Sequence, residues 1–437
     1  MSAAFLHILG NSLVAGVMNS TVWIALTFWV YLQTHSVFAT GMIAGIYLAL
    51  TASLGFWFGS LVDHHRKKSV MLGSSVASLV FFALGQGILG VAPAEAFADT
   101  ASLWLWALIV VLMVGVIAGN VRAIALPTLV TLLVPEDRRD RANGLVGMVS
   151  GIGFLSTSVI SGFLVAFGGM KAVLALALMI TLLALLHLRW LPIEERQKPT
   201  SSDAPLEPRR VDIRGTARVI AKVPGLSALI VFATFNNFLG GIFMALIDAY
   251  GLSLVSVETW GLLFGGLSTA TILSGAMIAR SGLGAKPLRT LLVVNLISWA
   301  VASVFTIQAS IWLLAIGCFV WMLLGPYAEA AEQSTLQKVV PLDRQGRVFG
   351  FAQSVEQAAS PITAFLMGPL TQFVVIPFMT TGRGAATIGG WFGTGPARGI
   401  ALVFTLAGIV GFVVTMLAFR SRSYRALSAA YESKENC

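Results

Sequence analysis

Apolar residues gather into runs of near twenty along almost the whole chain, separated by short polar breaks. A run of that length crosses the hydrocarbon core of a bilayer as a helix, since a helix rises about 1.5 Å per residue and the core is about 30 Å thick. The pattern predicts twelve such helices, over 5–31, 38–62, 69–91, 102–133, 142–168, 170–191, 225–252, 254–279, 288–307, 310–337, 348–377 and 397–419. Several exceed a plain span and are expected to tilt or to extend into water. The fold class predicted is an all-α membrane protein.

The longest polar break, Pro192 to Pro224, divides the chain near its middle, and an internal repeat explains the division. Ten of the 31 positions from Val134 to Leu164 match the residue 206 places further on, among them Pro135/Pro341, Asp137/Asp343, Arg138/Arg344, Arg141/Arg347, Gly144/Gly350 and Gly162/Gly368. Chance at ordinary composition gives roughly two. The repeat predicts two pseudo-symmetric six-helix bundles, residues 1–191 and 225–419, joined by a cytoplasmic linker over 192–224 and followed by a cytoplasmic tail over 420–437. Parallel repeats of this kind build many transporters, with the substrate site at the repeat interface. In the linker, VDIRGTARVIAKV can form a short basic amphipathic helix on the membrane surface, or serve as a plain tether.

Net charge is +9, which in a soluble protein would suggest a nucleic-acid partner. Its distribution says otherwise. Of 28 Lys and Arg, 24 fall in alternate breaks and the tail, while the intervening loops hold only Lys171, Arg383 and Arg398, and Arg122 lies inside a run. That bias is topology, and it places both termini in the cytoplasm. No nucleic-acid partner is expected. The first apolar run has no Lys or Arg before it and no clear cleavage site, so it is read as a retained helix.

The sequence offers little to an enzyme. No glycine-rich stretch ends in Gly-Lys-Ser/Thr, so no phosphate loop for ATP is expected. His7, His35, His64, His65 and His187 lack metal-ligand spacing, and Cys318 and Cys437 have no plausible disulfide partner. Neither a metal nor a cofactor is predicted, and no nucleophile and base converge.

Ionisable residues inside the runs carry the candidate chemistry, since each costs about 2.5–3.5 kcal/mol on insertion scales and marks a water-filled path or a buried partner. Arg122 lies in the fourth helix and Glu329 in the tenth. The repeat offset maps Arg122 to Ala328, beside Glu329, so the two charges occupy nearly equivalent places. They are read as working groups of the cavity or, alternatively, as a structural pair. Glu332 follows Glu329 by one turn, Glu356 lies early in the eleventh helix, and Asp248 lies near the outer end of the seventh. These four carboxylates are the candidates for carrying a proton. The plainer readings are a carboxylate at the cytoplasmic mouth for Glu332 and an interface residue reaching outward for Asp248; Glu258 is read as outer rim. Asn19 with Trp23, and Asn236 and Asn237 with Phe243, add polar groups and aromatic faces suited to an amphipathic ligand; hydrogen bonding between helices is the competing role.

The loop GSLVDHHRKK, from Gly59 to Lys68, combines a glycine, an acid four residues later and a basic cluster. Here the chain resembles the major facilitator superfamily, whose signature in this loop is Gly-x-x-x-Asp-Arg/Lys-x-Gly-Arg/Lys-Arg/Lys. Gly59, Asp63, Lys67 and Lys68 match; His64 and Arg66 depart. The resemblance covers nearly the whole chain, and it implies that helices one, four, seven and ten line a central cavity and that this loop switches between conformations. GRVFGFAQSVEQAASPITAFLMGPL looks most like the branch of macrolide, multidrug and siderophore exporters. The Gly-Pro motif that many drug/proton antiporters carry in the fifth helix is absent there; Gly368-Pro369 in the eleventh holds the pair instead.

The function expected is secondary active export of drug- or siderophore-like amphipathic small molecules, energised by protons, through alternating access. The protein is expected to be a monomer, multi-pass in the inner membrane. Two alternatives stand beside it: uptake of an anionic metabolite with Arg122 as its ligand, and a lipid-handling or sensor protein that uses the same fold.

Overall fold

The computed structural model describes residues 3–133, 139–192, 220–284, 286–340 and 345–433. The first four spans are α1 (Ala3–Thr34), α2 (Val37–His64), α3 (Lys67–Val91) and α4 (Leu103–Leu133). The stretch Arg139–Trp190 is helical except at Gly169, whose φ of 60° reverses the chain at a position that favours a residue without Cβ; it therefore supplies α5 (139–168) and α6 (170–190). α7 is Leu226–Leu254, and α8 consists of Val257–Leu267 and Thr269–Ser281. Then follow α9 (Pro287–Val304), α10 (Ile311–Val339), α11 (Gln345–Leu370) and α12 (Pro396–Arg420), with a shorter helix, α13 (Arg422–Ser433), after them.

Ten stretches among the described residues are long and apolar enough to cross a membrane. The turn at Gly169 divides one of them, and the apolar part of α2, Val37–Thr51, starts another span, giving the twelve helices that the hydropathy predicts. Their ends agree with the expected ones to within a few residues. Two details were not visible in hydropathy. α8 is interrupted at Ser268, whose hydroxyl donates to the Gly265 carbonyl at 2.6 Å. α11 continues through a π turn, Thr371–Val375, into Ile376–Thr380. The 193–219 part of the linker, with most of its expected amphipathic helix, and the 134–138 and 341–344 parts of the repeated loop lie outside the described residues.

Contacts gather into two compact units. The first holds α1–α6 and the Val257–Leu267 segment of α8. In it α3 is fastened to α4 by Ser74 and Ser78, whose hydroxyls donate to the Ala118 and Gly115 carbonyls at 2.7 and 2.8 Å. α5 meets the α8 segment through small residues four apart on each helix, Ser158 and Gly162 against Gly261 and Gly265. A Cβ on Gly261 would stand 2.7 Å from the Ser158 carbonyl oxygen, and one on Gly162 would stand 2.9 Å from that of Val257. Lipid supplies no hydrophobic drive between helices, so such backbone-to-backbone contact is a main source of their attraction.

The second unit holds α7 as far as Tyr250, the rest of α8, and α9–α13. Phe243 stacks between Trp321 and Phe404, at ring separations of 5.0 and 4.9 Å, in an aromatic core that also includes Trp299 and Phe305. At one end of this unit lies Arg398, a residue the loop charge count assigned to an outer loop. It lies in the first turn of α12, where hydropathy begins the twelfth helix, and it is buried there. Its guanidinium donates to the carbonyls of Thr306 and Ile307, just past the end of α9, and of Phe392, and lies 4.2 Å from the Phe392 ring centre. A planar five-donor group suits a cluster of carbonyls converging from three directions. α13 docks through buried Leu427, a Lys286–Glu432 ion pair of 2.9 Å and Lys338 over the Tyr431 ring.

Two predictions follow from these contacts. Arg398→Ala leaves the three carbonyls unpaired, so the detergent-solubilised protein should lose about 1.5–3 kcal/mol of stability, read as a lower unfolding midpoint, and Arg398→Lys should recover little of it; a parent-like midpoint would contradict the stapling role. Gly261→Val forces α5 and α8 apart, with an expected cost of about 1–3 kcal/mol. Serine there should cost less than valine, and equal effects would show that backbone proximity is not the constraint.

Candidate functional site

Two cavities, one in each unit, contain most of the residues that the sequence singled out. The first, about 460 Å³, is walled by α1, α4 and α5, and Asn19, Trp23 and Arg122 line it together. Asn19 donates to the Val116 carbonyl at 3.0 Å and to Asn120 Oδ1 at 3.1 Å. It lies against Gly119, where an added Cβ would stand 2.2 Å from its Oδ1, so α1 and α4 meet through an amide laid on a bare backbone. Asn120 in turn donates to the Tyr47 hydroxyl, and Tyr47 stacks on Trp23 with 4.2 Å between ring centres.

Arg122 is 6% exposed. Its Nη1 donates to Asn11 Oδ1 at 3.0 Å, and Asn11 Nδ2 donates onward to the Ala184 carbonyl at 2.8 Å. Those two bonds fix the orientation of the amide, because arginine only donates and a carbonyl only accepts. The same Nδ2 lies 3.0 Å from His187 Nδ1, which must therefore be the unprotonated nitrogen of that ring when it accepts. Arg122 Nε and Nη2, Ser12 Oγ, Trp23 Nε1 and Asn19 Oδ1 are buried with no hydrogen-bond partner among the described residues.

The second cavity, about 500 Å³, is walled by α7, α9, α10 and α11 and contains Asn236, Asn237, Glu329, Glu332 and Glu356. The Glu332 and Glu356 carboxyl groups lie within hydrogen-bonding reach of each other, and Glu329 is close enough for its charge to act on Glu332. Glu332 and Glu356 each keep one buried oxygen without a partner. Asn295, Gln333, Gln353 and Gln357 complete a lining that includes no Lys or Arg among the described residues. The Asn236 side chain accepts from the Trp299 indole at 2.8 Å and so binds a neighbouring helix, the competing role weighed for it, whereas the Asn237 side chain donates to the Ala233 carbonyl on its own helix at 3.1 Å and only its backbone carbonyl accepts from Ser360, at 2.9 Å.

Other candidates fall elsewhere. Phe243 belongs to the aromatic core and does not line this cavity. Asp248 lies further along α7, also away from the cavity lining, and Glu258 opens α8. Lys68 donates to the carbonyls of Arg189 and Leu191 at 3.0 and 2.7 Å, capping α6, while Lys67 donates to the Val62 carbonyl near the end of α2. A cation at a helix C-terminus meets carbonyls that have no partner within the helix. Gly59 and Asp63 lie near the end of α2, and the side chain of Asp63 lies outside the described residues.

Asn11, Asn120 and Tyr47 were missed, since one polar residue in an apolar run gives no sign of its partner. The glutamines had a signal: Gln353, Glu356 and Gln357 follow helical spacing and form one polar face of α11.

Comparison with known proteins places this arrangement. Over 373 residues, 83% of this chain and 88% of the relative, the sequence is 21% identical to macrolide efflux protein A of Streptococcus pyogenes. The fold matches a bacterial homologue of the human lysosomal transporter Spinster with a TM-score of 0.66, at 14% identity and 99% coverage of both chains. It also matches a bacterial homologue of the iron transporter ferroportin (0.68, 16% identity, 95% of this chain and 99% of the other) and a D-xylose–proton symporter (0.66, 13%, 94% and 98%). Residues 8–364 match the sequence profile of the Major Facilitator Superfamily, and the chain belongs to that family of multi-pass membrane transporters.

Proposed function

We propose that the protein is a proton-coupled exporter of amphipathic small molecules, working as a monomer in a bacterial inner membrane with both termini in the cytoplasm. The observation that carries the proposal is the Glu332–Glu356 contact in a cavity where no described lining residue is basic. Two carboxyl groups can hydrogen-bond only if one holds a proton, since two carboxylates at that separation repel. A site that holds one proton in a closed setting, and releases it when water enters, is what coupling to a proton gradient requires. Glu329, exposed on the same wall, is a way station for that proton. The likeness to a macrolide efflux protein supports export, and the loop charge bias supports the orientation.

In this reading the bundles 1–191 and 225–419 rock about the linker, each conformation opening the site to one face. Asn19, Trp23 and Arg122 in the first bundle and Asn236 and Asn237 in the second are the groups available to the substrate, each set in the cavity of its own unit. The Gly59–Lys68 loop biases one conformation over the other, and the bonds of Lys67 and Lys68 to the ends of α2 and α6 support a role in which helix ends move as units.

Transport in proteoliposomes tests the proposal, with N-dansylphenylalanine, its methyl ester and dansylcadaverine as anionic, neutral and cationic amphipathic probes. The purified parent should move at least one of them against its gradient when a pH gradient is imposed. Glu332→Gln and Glu356→Gln should each reduce that movement to the level of empty liposomes while leaving energy-independent exchange intact, because glutamine mimics the protonated acid. Parent-like pH-driven transport by both variants would refute the assignment. Inside-out and right-side-out vesicles separate export from uptake.

A further inference from the structure

We propose that the cavity of the first unit is a carboxylate-binding site, with Arg122 as the anchor of an organic acid whose remainder is apolar and ring-bearing. The inference rests on the exporter reading and narrows its substrate class to amphipathic organic anions. Its basis is the buried edge of the guanidinium that the described residues leave without a hydrogen-bond partner. Nη1 is held by Asn11, while Nε and Nη2, the pair of N–H groups that point the same way from the plane's other edge, have no partner among the described residues. That pair matches the spacing of the two oxygens of a carboxylate and binds it by two parallel charge-assisted bonds.

The rest of the cavity agrees with an anion. Two more buried groups that can donate, Ser12 Oγ on the same wall as Asn11 and the Trp23 indole N–H, also lack partners among the described residues, and no described residue lining the cavity is Asp or Glu. A buried cation without a counter-charge destabilises the fold unless something neutralises it, and a carboxylate does so while satisfying the fork. A cationic ligand would meet Arg122 itself, with only Asn19 Oδ1 and the Ser12 hydroxyl as buried acceptors left without a partner there among the described residues. Leu13, Val17, Ile24 and Phe154 supply an apolar wall, and Trp23 is braced from behind by Tyr47, which suits a ring. A volume of about 460 Å³ is in the range of sites for drug-sized ligands. The fork nitrogens are sealed from solvent in this conformation, so the acid docks as the walls part.

Titration of the purified full chain in detergent tests this, read by dansyl fluorescence and by the rise of the unfolding midpoint. N-dansylphenylalanine should bind saturably and raise the midpoint; its methyl ester and dansylcadaverine should do neither. Arg122→Lys, which keeps the charge but loses the fork, should weaken the acid roughly tenfold or more, the equivalent of one charged hydrogen bond. Ser12→Ala should weaken it severalfold, and Arg122→Gln should abolish it; if the last variant does not fold, the first two decide. No binding of the acid, equal binding of the ester or the amine, or unchanged affinity in Arg122→Lys each overturns the proposal. Glu332→Gln separates this site from proton coupling: it should bind the acid as the parent does. Loss of pH-driven transport in Glu332→Gln with no binding of the acid by the parent would sink the carboxylate site alone. Arg122-dependent binding without pH-driven transport would sink the exporter reading and leave the site standing.

Discussion

A charged or hydrogen-bonding group inside a bilayer must find a partner or water, and this chain is organised around that requirement. Its helices close their own backbone bonds, which leaves the side chains of Arg122, Glu329, Glu332, Glu356 and Arg398 as the groups to be accommodated. Arg398 is satisfied by carbonyls and is structural. Arg122, Glu332 and Glu356 are satisfied in part and line cavities, and that difference separates stapling residues from candidate working ones. The cavities also differ in sign. Among the described residues one holds a cation without an acid and the other three acids without a base, so anion recognition and proton storage have chemically suitable places of their own.

Much of the fold was legible because the period of a helix and the thickness of a bilayer are written directly into hydropathy. The apolar runs gave the spans, and Gly169, between two of them, gave the turn where an L side chain would be strained. The interruption of α8 at Ser268 was not legible, since a serine in an apolar run is as often a back-bonded hydroxyl as a break. Nor was the α5–α8 crossing noticed, although Ser158, Gly162, Gly261 and Gly265 display its spacing; two copies of a short pattern far apart in sequence say nothing of each other until packed.

The site was legible residue by residue and not pair by pair. Glu332 and Glu356 stood out as carboxylates in apolar helices, but only packing of α10 on α11 brings them together. The repeat offset suggested Glu329 as the counterpart of Arg122. Within its own bundle Arg122 bonds to Asn11, a residue the sequence gave no reason to choose, because one asparagine in an apolar run carries no sign of its partner. Arg398 shows the converse: a charge counted with a loop is buried, since its guanidinium fits the carbonyls at the end of α9.

Coupled proton flow is the property on which the account depends most. Proteoliposomes loaded with N-dansylphenylalanine and a pH-sensitive dye, at zero pH gradient and with potassium and valinomycin clamping the potential, allow its sign to be read. As the acid leaves through the protein, antiport predicts that the lumen acidifies in proportion to the acid exported. Outflow of the acid with an unchanged or a more alkaline lumen would contradict the account, the first by showing no coupling and the second by showing symport.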